Sequence, residues 1–194
     1  VQLGCPHTIA ELTGIDVVAD FRARDLVIGG QGAPFAPIYH QVLFGKENLP
    51  LAVVNIGGIA NVSYLTDAIG VSGYDVGPGN CLLDLWIQQH LGMAYDAGGE
   101  WAAAGQVIEP LLASLLADSY FQLPAPKSLG KEYFSSPWLE KHLQMDFSPN
   151  DVQATLLALT ASTIADAIRQ GPDLLKRVVI CGGGVHNIAL IQTL

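Results

Sequence analysis

Basic residues are scarce in this chain. Nine Lys plus Arg stand against 18 Asp plus Glu in 194 residues, for a formal charge of -9. Binding along a nucleic-acid backbone needs clustered Lys and Arg, so no nucleic-acid partner is expected. A single phosphorylated small molecule stays open, because backbone N–H groups can hold a phosphate without side-chain cations. Cysteine is equally sparse: Cys5, Cys81 and Cys181 are odd in number, widely spaced and form no CxxC pair. That argues against a disulfide framework or a zinc knuckle and fits a reducing, cytoplasmic setting. Long apolar runs are missing too. No stretch approaches the roughly 20 residues of a membrane span, and no basic segment followed by an apolar one marks a signal peptide, so no membrane partner is expected. GxGxxG, Walker A, HExxH, GxSxG and EF-hand patterns are also absent. Dinucleotide dehydrogenases, P-loop enzymes, zinc peptidases and serine hydrolases therefore lack support, and no metal ligands are assigned.

What the chain does have is apolar mass and glycine. Half of its residues are hydrophobic and 21 are Gly, enough for one large domain or two small ones. The stretch GYDVGPGNCLLD, Gly73–Asp84, places one acid, Asp75, in a glycine-rich loop. A helix is predicted directly after it, with Asn80 as a cap type, Leu82, Leu83, Trp86 and Ile87 on one face and Gly92 at its stop. An acid held in such a turn can face a cleft above the helix start. A turn whose Asp caps its own backbone fits the same residues.

Around that stretch the reading runs in order. Thr8–Leu12 is a short helix stopping at Gly14, and Ile15–Phe21 is a buried strand. Asp20, Arg22, Arg24 and Asp25 follow, where α/β proteins place ligand contacts, though an exposed turn with ordinary ion pairs fits as well. Gly29, Gly30 and Gly32 allow positive φ, and Ile38–Phe44 is a helix carrying a structural His40. Leu51–Ile56 and Ile59–Leu65 form a hairpin about Gly57-Gly58. Asn55, Asn61 and Ser63 lie near its tip, which suits an oxyanion, while a plain tight hairpin accounts for it too. Lys46–Pro50 and Thr66–Gly70 are connections. Short helices are expected at Trp101–Gly105, Pro110–Asp118 and Trp138–Leu143, and Leu123–Lys131, Pro-rich with two Lys and a Ser, reads as a solvated loop, with an anion contact as the alternative. A long helix spans Val152–Arg169, striped by Leu156, Leu159, Thr160, Ile164 and Ile168. Arg177–Cys181 is a buried strand running into Gly182–Gly184, then a helix. Strand, glycine run and helix is a layout for backbone lying against a nucleotide.

NIGGIANVSYL, GYDVGPGNCLLD, PAPKSLGKEYF, DVQATLLALT and VVICGGGVHN, in that order, resemble the bacterial anhydro-N-acetylmuramic acid kinase family, and VVADFRARD with GGQGAP adds to the match. The resemblance covers essentially the whole chain. It implies an α/β protein with the actin-like ATPase, or ribonuclease H-like, fold. Residues 1–48 would be the carboxyl-terminal part of a first domain and its crossover, and residues 49–194 a second domain. It also implies a kinase that uses ATP and Mg²⁺ to open the 1,6-anhydro bond of 1,6-anhydro-N-acetylmuramic acid and phosphorylate O6, in cytoplasmic cell-wall recycling. The partners implied are that amino sugar and ATP, with a homodimer left open.

By resemblance, Asp75 is the catalytic base. Gly57, Gly58 and Asn61 form a phosphate turn, and Gly182, Gly183, Gly184 and Asn187 the adenosine turn. Asp20, Arg24, Gly77, Pro78, Gly79 and Asn80 are candidates for the sugar. Family members are longer at both ends, and their amino-terminal phosphate hairpin has no counterpart here. The chain opens on VQLGC without Met and ends on IALIQTL. A piece of a longer protein, inactive by itself, is therefore expected. The reading from another class is a non-catalytic actin-like nucleotide-binding or regulatory domain, for which an acid at Asp75 would be superfluous.

Overall fold

β-branched residues of Leu51–Ile56 build a strand that is buried along nearly its whole length, and this strand, β1, is the centre of the fold. The computed structural model describes residues 4–194 apart from 47–48, 68–69, 131, 144–145 and 173–174. The connections expected at Lys46–Pro50 and Thr66–Gly70, and the end of Leu123–Lys131, include residues outside that set. The chain divides into two compact units, residues 1–33 and residues 34–194. Among the described residues no helix is long and apolar enough to cross a membrane.

Residues 1–33 hold α1 (Pro6–Thr13), ended by Gly14 in the left-handed region, and α2 (Ala23–Val27). The strand expected at Ile15–Phe21 does not form, and Ile15, Val18 and Phe21 are exposed. A strand needs a partner for its N–H and C=O groups, and no described residue of this unit supplies one. The placement of Asp20, Arg22, Arg24 and Asp25 past a strand end falls with it. Asp20 turns the chain with φ 63°, Arg24 lies in α2, and the Asp25 carboxylate accepts the Gly32 N–H at 2.7 Å.

In residues 34–194, α3 (Ala36–Phe44) precedes β1, β2 (Ile59–Thr66) and β3 (Gly70–Pro78). Then come α4 (Cys81–Leu91), α5 (Glu100–Ala103), α6 (Glu109–Leu116), α7 (Ser119–Gln122), α8 (Ser136–Glu140) and α9 (Pro149–Arg169). β4 (Arg177–Cys181), a 3₁₀ turn at Gly183–His186 and α10 (Ile188–Thr193) close the chain. The sheet order is β3-β2-β1-β4, with β1, β2 and β3 antiparallel and β4 parallel to β1. The result is an α/β unit on a mixed sheet. β4, expected to be buried, is an edge strand whose Arg177 and Val178 are exposed.

Each face of the sheet has its own cover. Ala52, Val54, Ile56, Ala60, Val62 and Val76 join one core with Leu156, Leu159 and Ile164 of α9. The last three are essentially sealed from water, and each contributes roughly 2 kcal/mol by burial. The Trp86 indole donates to the Pro149 carbonyl at 2.8 Å and ties α4 to the start of α9. On the other face Leu51, Val53 and Leu65 pack with Phe44 of α3, and His40 there is buried with Nδ1 2.8 Å from Ser63 Oγ.

The largest departure from the sequence reading is β3. Gly73 and Gly77 are there for close approach, with no left-handed φ at either. A Cβ on Gly73 would stand 2.4 Å from the Val62 carbonyl oxygen, and one on Gly77 would stand 2.9 Å from the Phe121 ring. Glycine in a strand marks such contact as readily as a turn.

Candidate active site

Register places Asn55, Asn61 and Asp75 directly opposite one another across β1, β2 and β3, and Cys181 opposite Asn55 on β4. A polar row thus crosses all four strands of the sheet. A bulge leaves Val76 unpaired between Asp75 and Gly77, so the row ends where β3 bends.

Asp75 is buried and held from outside its own strand. Its N–H donates to the Lys127 carbonyl at 3.1 Å. Its C=O accepts the Tyr120 hydroxyl, and Oδ2 accepts the Leu129 N–H at 2.9 Å. The carboxylate is therefore fixed by a residue 54 positions away, which is not the local capping turn the sequence left open. The segment expected as a solvated Pro-rich loop lies along β3 and supplies two of these contacts. Sequence reasoning missed Tyr120 and Leu129; the Lys-Ser pair within that Pro-rich run was the available signal. Burial, then the Asp75 charge, pushes the Tyr120 phenol far above its ordinary pKa. Lys127 Nζ donates to the Tyr120 carbonyl at 3.0 Å and sits 4.6 Å from that ring's centroid, and burial lowers its pKa.

The Gly57-Gly58 turn is bound to the start of α4. Gly57 O accepts the Asn80 N–H, while Gly58 O accepts the N–H groups of Gly79 and Cys81, at 2.8–3.1 Å. Asn80 stands at the cap position with helical φ and ψ but makes no cap bond; its Nδ2 donates to the carbonyls of Ile56 and Gly57 at 3.3 and 3.1 Å. Asn61 is buried, with Oδ1 enclosed and unpaired. Gly77, Pro78 and Gly79 are buried as well. A Cβ on Gly79 would stand 2.3 Å from the Gly57 carbonyl oxygen.

After β4, Gly182 takes φ 86° and would meet Asn55 and the Ile56 carbonyl with any Cβ. Gly184 would meet the Ile56 side chain at 2.3 Å. Gly183 is different: the nearest atom to a Cβ there is Asn80 Nδ2 at 3.9 Å, across open space. Asn187 caps α10 by accepting the Leu190 N–H at 3.0 Å. Gly183, Asn187 and Asn80 share one cleft of about 520 Å³ with Leu83, Asp84 and Asp96. The structure thus brings Asn80, Gly183 and Asn187 together. Asp75 is not among that cleft's lining residues, and Asp20 and Arg24 belong to the other unit.

The family profile for anhydro-N-acetylmuramic acid kinase matches residues 1–194, the whole chain. The chain belongs to the anhydro-N-acetylmuramic acid kinase family. A relative of that name from Legionella pneumophila (strain Corby) is 58% identical over 194 residues, covering 100% of this chain and 53% of the relative. One from Bordetella avium (strain 197N) is 50% identical over 198 residues, covering 100% and 53%. One from Pasteurella multocida (strain Pm70) is 50% identical over 197 residues, covering 100% and 52%. The chain spans about half the length of the curated relatives it matches.

Proposed function

We propose that this chain forms part of an ATP-dependent kinase that opens the 1,6-anhydro bond of 1,6-anhydro-N-acetylmuramic acid and phosphorylates O6; its relatives are named anhydro-N-acetylmuramic acid kinase, which supports the kinase and the sugar. The fold we assign is actin-like, with residues 49–194 as most of a second domain and residues 1–48 as the end of a first. The setting is cytoplasmic recycling of cell-wall sugar, and the small molecules bound are the amino sugar and ATP.

The observation that carries the reading is the fixation of Asp75. A general base works when it is positioned within reach of the proton it removes, and Asp75 is held by its N–H, its C=O and its carboxylate. In the proposed step Asp75 takes a proton from water as the water oxygen bonds to C1. The C1–O6 bond breaks and its electron pair stays on O6. O6 then bonds to the γ-phosphorus, and the bond from phosphorus to the β-bridging oxygen breaks to release ADP. Phosphoryl transfer of this kind depends on alignment and charge stabilisation rather than on a protein nucleophile. Mg²⁺ would accompany ATP as its counter-ion. Among the described residues no three His, Cys, Asp or Glu side chains converge on a metal position. Gly183 and Asn187 are assigned to the adenosine and Gly57-Gly58 to the phosphates.

The test is Asp75→Asn in a chain of the relatives' full length that carries these residues. ATP binding should persist by calorimetry while turnover drops about 10²–10⁴-fold. Retention of more than about a tenth of the turnover rejects Asp75 as the base.

A further inference from the structure

The cleft beside Gly183 has a composition that says which end of a nucleotide it takes. Of its six polar side chains, Asn80, Asp96 and Asn187 are committed to the fold, and Tyr95 and His186 are exposed. Asn80 is spent on Ile56 and Gly57. Asp96 accepts the N–H groups of Trp101 and Ala102, both at 3.0 Å, and the Gln153 amide at 3.3 Å. Asn187 is spent on Leu190. Asp84 is neither committed nor exposed: it lines the cleft, is half-buried, and has no hydrogen-bond or ion-pair partner among the described residues. Its place in the first turn of α4 offers some dipole stabilisation. That alone would favour an exposed acid, whereas burial here works against the charge and raises the carboxyl pKa. The lining residues include no Lys or Arg.

A phosphate is a poor occupant of such a cleft, because Asp84 and Asp96 would repel it and no Lys or Arg of the lining offsets them. A neutral group rich in O–H donors is a good one, since an ionised carboxylate is acceptor-only and wants donors. Leu83, Ala94 and Ala97 supply apolar wall for a flat base alongside.

We propose that Asp84 is a specificity-determining residue whose carboxylate accepts hydrogen bonds from the ribose hydroxyls of the nucleotide, so that this cleft selects a ribonucleoside and points its phosphates away. Acids that read ribose hydroxyls from beside a strand–turn–helix unit are known in other α/β folds. The inference rests on the ATP-using reading above and goes beyond it by naming the atoms that choose the sugar of the nucleotide.

Calorimetric titration of the full-length chain with β,γ-imido-ATP, its 2′-deoxy and 3′-deoxy counterparts, and the inosine counterpart tests it. The wild type should bind the ribonucleotide about tenfold or more tightly than at least one deoxy form, as expected for loss of a hydrogen bond to a charged acceptor. In Asp84→Ala that preference should vanish, with all adenine forms bound alike. Asp84→Asn keeps one acceptor oxygen and should keep part of the preference, so it serves if the alanine variant fails to fold. Equal binding of ribo and deoxy forms by the wild type, or an unchanged preference in Asp84→Ala, overturns the proposal. Coupling of Asp84 to the adenine-versus-inosine difference instead also overturns it, in favour of a base contact. Absence of any nucleotide binding by the wild type overturns the ATP reading itself and this inference with it, a result distinct from the other outcomes.

Discussion

Neighbouring glycines at the adenosine turn have opposite duties. Gly184 leaves no room, since a Cβ would lie 2.3 Å from the Ile56 side chain. Gly184→Ala should therefore destabilise the chain by about 1–3 kcal/mol through overpacking, read as a lowered urea midpoint. Gly183 has room, with 3.9 Å to the nearest atom, and that room is the cleft. Gly183→Val should keep the wild-type midpoint while raising the ATP dissociation constant at least about tenfold, a loss of roughly 1.4 kcal/mol. If calorimetry finds ATP binding unchanged and the midpoint has dropped, Gly183 serves the fold and the adenosine assignment fails.

At the scale of elements, Asp118 knits together the pieces that hold Asp75. Its carboxylate accepts the Tyr120 N–H, the Tyr133 hydroxyl and the Trp138 indole N–H, each at 2.8 Å. It thereby caps α7 and joins it to α8, and α7 carries the Tyr120 that binds the Asp75 carbonyl. Burial works to raise the Asp118 pKa, but the three donors and nearby His142 together hold it below the ordinary value. A folded-state pKa below the unfolded one adds stability above the unfolded value, near pH 4, that is lost as pH falls through the folded value. Asp118→Asn should cost about 1–2 kcal/mol at pH 7, after screening of a half-exposed group. Urea midpoints of wild type and variant should converge as the pH falls below the ordinary carboxylate range. A gap that stays constant on acidification would show that the Asp118 charge contributes nothing.

The whole molecule carries a large negative charge, -9, beside much exposed apolar surface. Val42 and Val27 are 78% and 85% exposed, and Leu12, Val18, Ile28, Ile38 and Tyr39 are exposed too. Apolar surface of that extent favours association, so sedimentation velocity should show the 194-residue chain gaining mass with concentration. A monomer at every concentration would contradict this. The same chain should release no ADP in response to 1,6-anhydro-N-acetylmuramic acid, with the Legionella pneumophila relative as control. The chain spans about half the length of that relative, and transfer of a γ-phosphoryl group needs its charge stabilised on several sides. Sugar-dependent turnover near the relative's rate would mean that these residues form a complete site.

Much of this was legible in the chain because it is local. The helix α9, the Leu82, Leu83, Trp86 and Ile87 face of α4 with its Gly92 stop, and the Gly57-Gly58 hairpin are each specified within a few residues, and each is present in the structure, although α9 is buried on every side over residues 152–161 and not along one stripe. The motifs that carry the family resemblance are likewise local strings. Tertiary structure decided the rest. Residues 15–21 have strand composition but find no described partner in their unit, while residues 70–78 have turn composition yet pair along β2. Strand pairing is a relation between distant segments, and composition states only half of it. Asp75 could be picked out as an acid among glycines, but its partners Lys127 and Leu129 lie on a segment that reads as solvated loop, and Tyr120 lies just before it in α7. Only the packing of that segment against the edge of β3 turns an acid in a string into a carboxylate held in place.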